Sequence, residues 1–273
     1  MRFSILTLFP EMFSPILECS ILGRAIKRGV IESRLVQLRD FALDKHQRVD
    51  DAPFGGGPGM VLKPDVLDRA VEQVRNQQPG RVIWLSPQGK TFSQEDARRL
   101  ATLPHLILVC GHYEGVDERW VQHGADEELS LGDFVLTGGE LPAMVMVDAV
   151  ARLLPGVLGD DESAIAESFG EGLFDHPHYT RPAIWQPLRG SEAQPVPATL
   201  LSGNHGAVAA WRRRQSMLRT LIRRPELLQR ISWSRQERRV IEELAKDLEA
   251  MEHNGDPRTN GDFLESLDGK KEL

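Results

Sequence analysis

Residues 106–142 read LILVC-GHYEG-VDERWVQHGADEELSLGD-FVL-TGGELP, and this stretch decides the fold. Leu106–Cys110 is a short, wholly apolar run that stops at a Gly-rich turn, as a strand buried on both faces does. Phe134–Leu136 reads as a shorter strand, again stopped by glycines. Pro142 suits the first turn of the long apolar helix that follows, which ends near Leu154-Pro155-Gly156. The same alternation runs upstream. Phe3–Phe9, Leu35–Leu38 and Val82–Leu85 read as strands, and helices are predicted over Ser20–Arg28, from Lys63-Pro64-Asp65 to Asn76, and over Ser93–Leu103. Ser93 with Asp96 three residues on is a capping pair. Short apolar strands separated by helices predict an α/β fold with a parallel sheet.

Three of these strands run into turns rich in glycine and proline: Ser86-Pro87-Gln88-Gly89, Gly111-His112-Tyr113-Glu114-Gly115 and Leu136-Thr137-Gly138-Gly139-Glu140-Leu141-Pro142. In open α/β sheets ligands bind outside the carboxyl ends of strands. Each turn alone is weak evidence, since turns use these residues anyway. Together they suggest a pocket walled by backbone, suited to an adenine edge and a ribose. A fourth loop, Phe54-Gly55-Gly56-Gly57-Pro58-Gly59-Met60, lacks both the Walker lysine and the G-x-G-x-x-G spacing. It is either a flexible surface loop or a backbone that something approaches closely.

The chain has 273 residues, 41% apolar and 27% charged, which excludes a mostly disordered or fibrous protein. No apolar run is long enough to span a membrane, and Pro10 and Glu11 interrupt any signal-like segment, so a soluble, cytoplasmic protein is expected. Two cysteines, Cys19 and Cys110, are too few for a disulfide framework or a four-cysteine zinc site. His176 and His178 flank Pro177, outside any standard metal spacing, and His112 and His205 read as solvent-facing. There is no G-x-S-x-G elbow. Candidate bases are Glu114, Asp160, Asp161, Glu162, Glu167 and Asp175. Arg152 closes the apolar helix, where a cation is favoured by helix polarity alone.

The net charge is −7, but it is unevenly spread. Residues 242–273 carry ten acids and four bases, whereas residues 203–225 hold six arginines and no acid. Such a stripe is either a solvated helix face or a phosphate-binding one. Helices are predicted over Ala207–Leu221, Pro225–Ile231 and Ser234–Met251. The segments divide as 1–158, an acidic linker 159–175, a helical domain 176–252, and a polar tail 253–273 expected to be disordered.

Taken in order, these motifs resemble the bacterial tRNA (guanine-N1)-methyltransferases of the SPOUT class. The resemblance rests on LFPEMF (8–13), VDD (49–51) with the GGGPGM loop, LSPQG (85–89), VCGHYEGVDER (109–119) and DEELSLGDFVLTGGELP (126–142). It continues through PGVLG (155–159), PHYTRP (177–182) and LSGNH (201–205). It implies a deep trefoil knot in the N-terminal α/β domain, a homodimer, and methyl transfer from S-adenosylmethionine to the guanine at tRNA position 37. It also implies a divalent cation, Mg2+, and a helical C-terminal domain that clamps the anticodon arm.

Carried onto this sequence, donor contacts fall at Leu85, Ser86 and Pro87, then at Gly111 and Tyr113. The third group is Leu131, Gly132, Asp133, Phe134, Val135 and Leu136, followed by Gly138, Gly139, Leu141 and Pro142. Arg152 becomes the group that stabilises charge on O6, and Glu114 helps hold the guanine. Asp50, Arg181, Asn204, Arg212, Arg213 and Arg214 become tRNA contacts. The family usually places an Asp base before a Ser-Phe pair, whereas this chain has Glu167 before Ser168-Phe169. That keeps the carboxylate but moves it by about 1.5 Å. Asp161 and Asp175 are the substitutes. Alternatives are another SPOUT enzyme, an inactive tRNA-binding homologue, or a phosphate-binding enzyme using the GGGPGM loop.

Overall fold

The computed structural model describes residues 1–159, 168–169, 172–188 and 192–253. The chain divides into two compact units, Met1–Ala164 and Ile165–Leu273.

The first unit is built on a five-stranded sheet. Its strands are β1 (Arg2–Thr7), β2 (Glu32–Gln37), β5 (Arg81–Thr91), β6 (His105–Cys110) and β7 (Glu127–Ser130), in the order β2-β1-β6-β5-β7. Every pairing in it is parallel. A parallel sheet needs cover on both faces, and the strand residues alternate accordingly. Phe3, Ile5, Ile83, Leu85, Leu106 and Leu108 pack with α2 (Ser20–Lys27), α4 (Gln94–Ala101) and α6 (Glu140–Ala151). Leu6, Val82, Trp84, Ile107 and Val109 pack with α3 (Pro64–Gln77) and α5 (Glu118–Gly124). The remaining α1 (Ser14–Glu18) leads into α2.

Two sequence expectations need correction. The strand expected at Phe134–Leu136 is not one. The edge strand is β7, Glu127–Ser130, and residues 134–136 lie beyond it in an exposed loop. Apolar content misleads in both places. Glu127 tolerates the edge because Arg81 and Arg99 bond its carboxylate at 3.1 and 2.7 Å. Phe134 and Val135 are 54% and 85% exposed. Secondly, Ser86–Gly89 does not terminate its strand. Leu85 and Lys90 both pair with Leu129, so these residues are extruded as a bulge within β5. A Cβ on Gly89 would stand 2.6 Å from the Leu129 nitrogen, which is why glycine closes the bulge.

The GGGPGM loop joins a short antiparallel pair, β3 (Asp50–Asp51) and β4 (Val61–Leu62). Its base is tied to the turn after β6: the Glu114 and Leu62 N–H groups donate to Met60 and Gly115 carbonyls at 3.0 and 2.9 Å. Gly55, Gly56 and Gly57 take positive φ in open space. Gly59 is different, because a side chain there would collide with that of Glu114. At Gly59 the approaching group is the chain's own Glu114 side chain.

In the second unit, α8 (His205–Arg223), α9 (Pro225–Leu228) and α10 (Arg235–His253) enclose Leu173, Met217, Leu218, Leu228 and Leu244. A short α7 (Ala198–Leu201) and a two-stranded pair, β8 (Ile184–Trp185) with β9 (Gln194–Pro195), precede them. The Asn204 side chain caps α8 by accepting from the Ala207 N–H at 3.1 Å. Ser234 and Glu237 form the reciprocal cap of α10. Among the described residues no helix is long and apolar enough to cross a membrane.

Candidate functional site

The bulge in β5 and the carboxyl ends of β6 and β7 open into one cavity of about 350 Å3. The bulge supplies Leu85, Ser86 and Pro87, and the Ser86 hydroxyl accepts from the Gln88 N–H at 3.1 Å to hold its shape. Gly111 and Tyr113 come from the turn after β6. Tyr113 sits at φ +61°, a left-handed conformation that costs a non-glycine residue energy and recurs at functional sites. Leu131, Gly132, Phe134, Val135 and Leu136 follow β7, and Gly138, Gly139 and Pro142 lead into α6. Asp133 and Leu141 do not line the cavity. The separate sequence loops thus converge as expected, with these two exceptions.

Glycine is required here by contact rather than by turn type. The Gly139 N–H donates to the Gly111 carbonyl at 2.8 Å, locking the third turn onto the second. A Cβ on Gly139 would stand 2.7 Å from Cys110 Cα, and one on Gly111 would strike the Trp84 ring. These glycines let the two turns pack backbone to backbone at the cavity wall. His112 lies between Phe9 and Tyr113, with ring centroids 5.0 Å from each. Its Nδ1 is buried and has no hydrogen-bond partner among the described residues.

Sequence reasoning passed over Glu140. It is 3% exposed, and its Oε1 accepts from the Thr7 hydroxyl at 2.8 Å. Its position in the first turn of α6 was the available signal, because a carboxylate is favoured there. Burial, with the Glu140 charge added, raises the Cys110 thiol well above its usual pKa. That thiol stays protonated and is no nucleophile.

Of the other expected site residues, Glu114 lines the cavity and packs over Gly59. Arg152 is the C-terminal cap of α6, its N–H donating to the Asp148 carbonyl at 3.1 Å. Asp50 is half-buried opposite Leu62. Asp160, Asp161, Glu162 and Glu167 lie outside the described residues. In the second unit Arg181 and Arg212 are exposed. Arg213 is otherwise engaged: it pairs with Glu237 at 2.8 Å and lies 5.7 Å over the Trp233 ring. Arg214 stands 3.8 Å from Asp247. The basic stripe is thus in part a brace between α8 and α10.

A parallel α/β sheet with a glycine-rich cavity at one strand's bulge and two strands' carboxyl ends is an arrangement that open α/β sheets use for ligands. The sequence profile of the family described as tRNA (Guanine-1)-methyltransferase TrmD matches residues 1–230. A tRNA (guanine-N(1)-)-methyltransferase of Magnetococcus marinus is 62% identical over 253 residues, covering 93% of this chain and 99% of the relative. Proteins of the same name from Dehalococcoides mccartyi and Geobacillus kaustophilus are 52% and 50% identical, over 89% and 91% of the chain and 97% and 100% of the relatives. The chain belongs to the tRNA (Guanine-1)-methyltransferase TrmD family.

Proposed function

We propose that this enzyme transfers a methyl group from S-adenosylmethionine to N1 of the guanine at position 37 of tRNA, beside the anticodon. Family membership sets the reaction class. The observation that carries the reading is the glycine-rich cavity where the β5 bulge meets the ends of β6 and β7. Its main-chain groups suit an adenosine, and its glycines leave the room that side chains would fill. Bound there, S-adenosylmethionine supplies an electrophilic sulfonium methyl group.

The chain's own residues have two tasks. Guanine N1 carries a proton and is a poor nucleophile until that proton leaves, whereupon charge builds on O6. Arg152 would stabilise that charge. Glu114, beside the cavity, would hold the guanine. Glu167 would take the proton, its carboxylate serving where the family usually has Asp. Mg2+ takes oxygen ligands, and a position beside Glu167 and the substrate would supply them.

The same reading includes a trefoil knot around the cavity, a helical second domain, and a homodimer. The exposed Leu141 and Val145, one turn apart on α6, support a partner-covered face. Asp50, Arg181, Asn204, the exposed Arg212 and Arg214 would contact tRNA, whereas Arg213 is held by Glu237 and Trp233. The compartment would be the cytoplasm, with the tRNA. Glu167→Gln tests the base. Methyl transfer should fall by more than about a hundredfold, while calorimetry finds donor affinity unchanged. Full activity in that variant would contradict the assignment.

A further inference from the structure

Asp175, His176 and His178 form a cluster that the proposed reaction leaves unused. Asp175 Oδ1 lies 2.8 Å from His176 Nδ1, and Asp175 Oδ2 lies 2.8 Å from His178 Nε2. The two ring centroids are 4.5 Å apart, and one donor atom from each residue falls within 4.8 Å of the other two. The chain is held on both sides of the carboxylate. The Phe174 N–H donates to Thr220 Oγ1 on α8 at 2.9 Å, and the Asp175 N–H to Ser168 Oγ at 2.9 Å. The His176 N–H donates to Asp175 Oδ1 at 2.7 Å, and Pro177 restricts the backbone between the histidines. Much of the ordering that a ligand set requires is therefore already done.

We propose that Asp175, His176 and His178 form a Zn2+ site, using Nδ1 of His176, Nε2 of His178 and one carboxylate oxygen. Two imidazoles and a carboxylate suit zinc, whereas Mg2+ and Ca2+ prefer oxygen alone. The site is thus separate from the Mg2+ of the proposed reaction. Ligands at about 2.0 Å in tetrahedral array lie about 3.3 Å apart, so the 2.8 Å contact of the ligating oxygen must open by about 0.5 Å. A histidine that donates to the carboxylate must move its proton to the other ring nitrogen when zinc replaces the hydrogen bond. Three protein ligands leave a fourth position for an oxygen ligand. Both histidines line a cavity that Arg181 and Arg212 also line, so an anionic oxygen is the fitting fourth ligand.

The test is a calorimetric titration of the chelator-stripped full-length protein with ZnCl2, in excess MgCl2. One equivalent should bind per chain. His178→Ala and Asp175→Asn should each weaken it by more than about a hundredfold, beyond the ten- to hundredfold typical of outer partners. On the wild-type protein, Zn2+ should shift the NMR signals of His176 Nδ1 and His178 Nε2, a readout independent of any variant's folding. Absence of saturable binding, or shifts confined to other histidines, would overturn the proposal. So would affinity unchanged in His178→Ala.

Discussion

Gly139 makes the sharpest single-residue case, because its role depends on one missing methyl group. Its φ of −80° is open to any residue, so backbone strain is no argument against substitution. Proximity is: a Cβ would stand 2.7 Å from Cys110 Cα and 2.8 Å from the Gly111 nitrogen. Gly139→Ala should push the third turn off the second and reduce S-adenosylmethionine affinity by about tenfold or more, consistent with the ~1–3 kcal/mol that overpacking costs. Gly159→Ala, where an added Cβ meets open space, is the control. Calorimetry of both variants decides; unchanged affinity in Gly139→Ala would mean that the turns do not grip the donor. That Gly138 and Gly139 form a wall was legible from sequence. Why Gly139 must be glycine was not, because the atoms it touches lie on a strand about 30 residues earlier.

At the scale of elements, α4 and α8 lend themselves to measurement. The Asp96 side chain, 2% exposed, completes the α4 cap with Ser93 and also receives Lys90 at 2.7 Å. Burial opposes its charge, but hydrogen bonds from Lys90, Ser93 and Arg99 outweigh that and bring its pKa down to about 2 from 3.8. A carboxylate with a depressed folded-state pKa contributes its full stability above pH 3.8 and loses it as pH falls toward 2. The contribution is about 2 kcal/mol. Asp96→Asn should therefore destabilise the protein at pH 7 and narrow the gap to wild type below pH 3 in denaturant titrations. In α8, Arg213→Ala should cost about 1–2 kcal/mol, by losing the Glu237 pair and the Trp233 stack. It should leave the salt slope of tRNA binding unaltered, whereas Arg212→Ala should reduce that slope by about one. Equal effects on the slope would show Arg213 to be a phosphate contact after all.

Element reading from sequence succeeded where local signals agree. Ser93 with Asp96, and the helix starts expected at Pro64 and Ser234, each mark a boundary found in the structure. It failed at β7, because an edge strand can be polar when cations on its neighbours satisfy it, and that pairing is not local. It failed again at Phe134–Leu136, where apolar residues serve a cavity mouth and solvent rather than a core. The Asp175–His178 cluster escaped for a related reason. Its spacing fits no standard metal motif, and only the turn shows that the side chains converge.

In the whole molecule, a parallel sheet whose β5 bulge and two strand ends share one cavity belongs to a family named for methyl transfer to tRNA guanine. The direct measurement is transfer of labelled methyl groups from S-adenosylmethionine to two tRNA transcripts that differ only at position 37. Guanine there should be methylated at N1, and the transcript with adenine should stay unlabelled. Labelling of both transcripts, or of neither, would contradict the account.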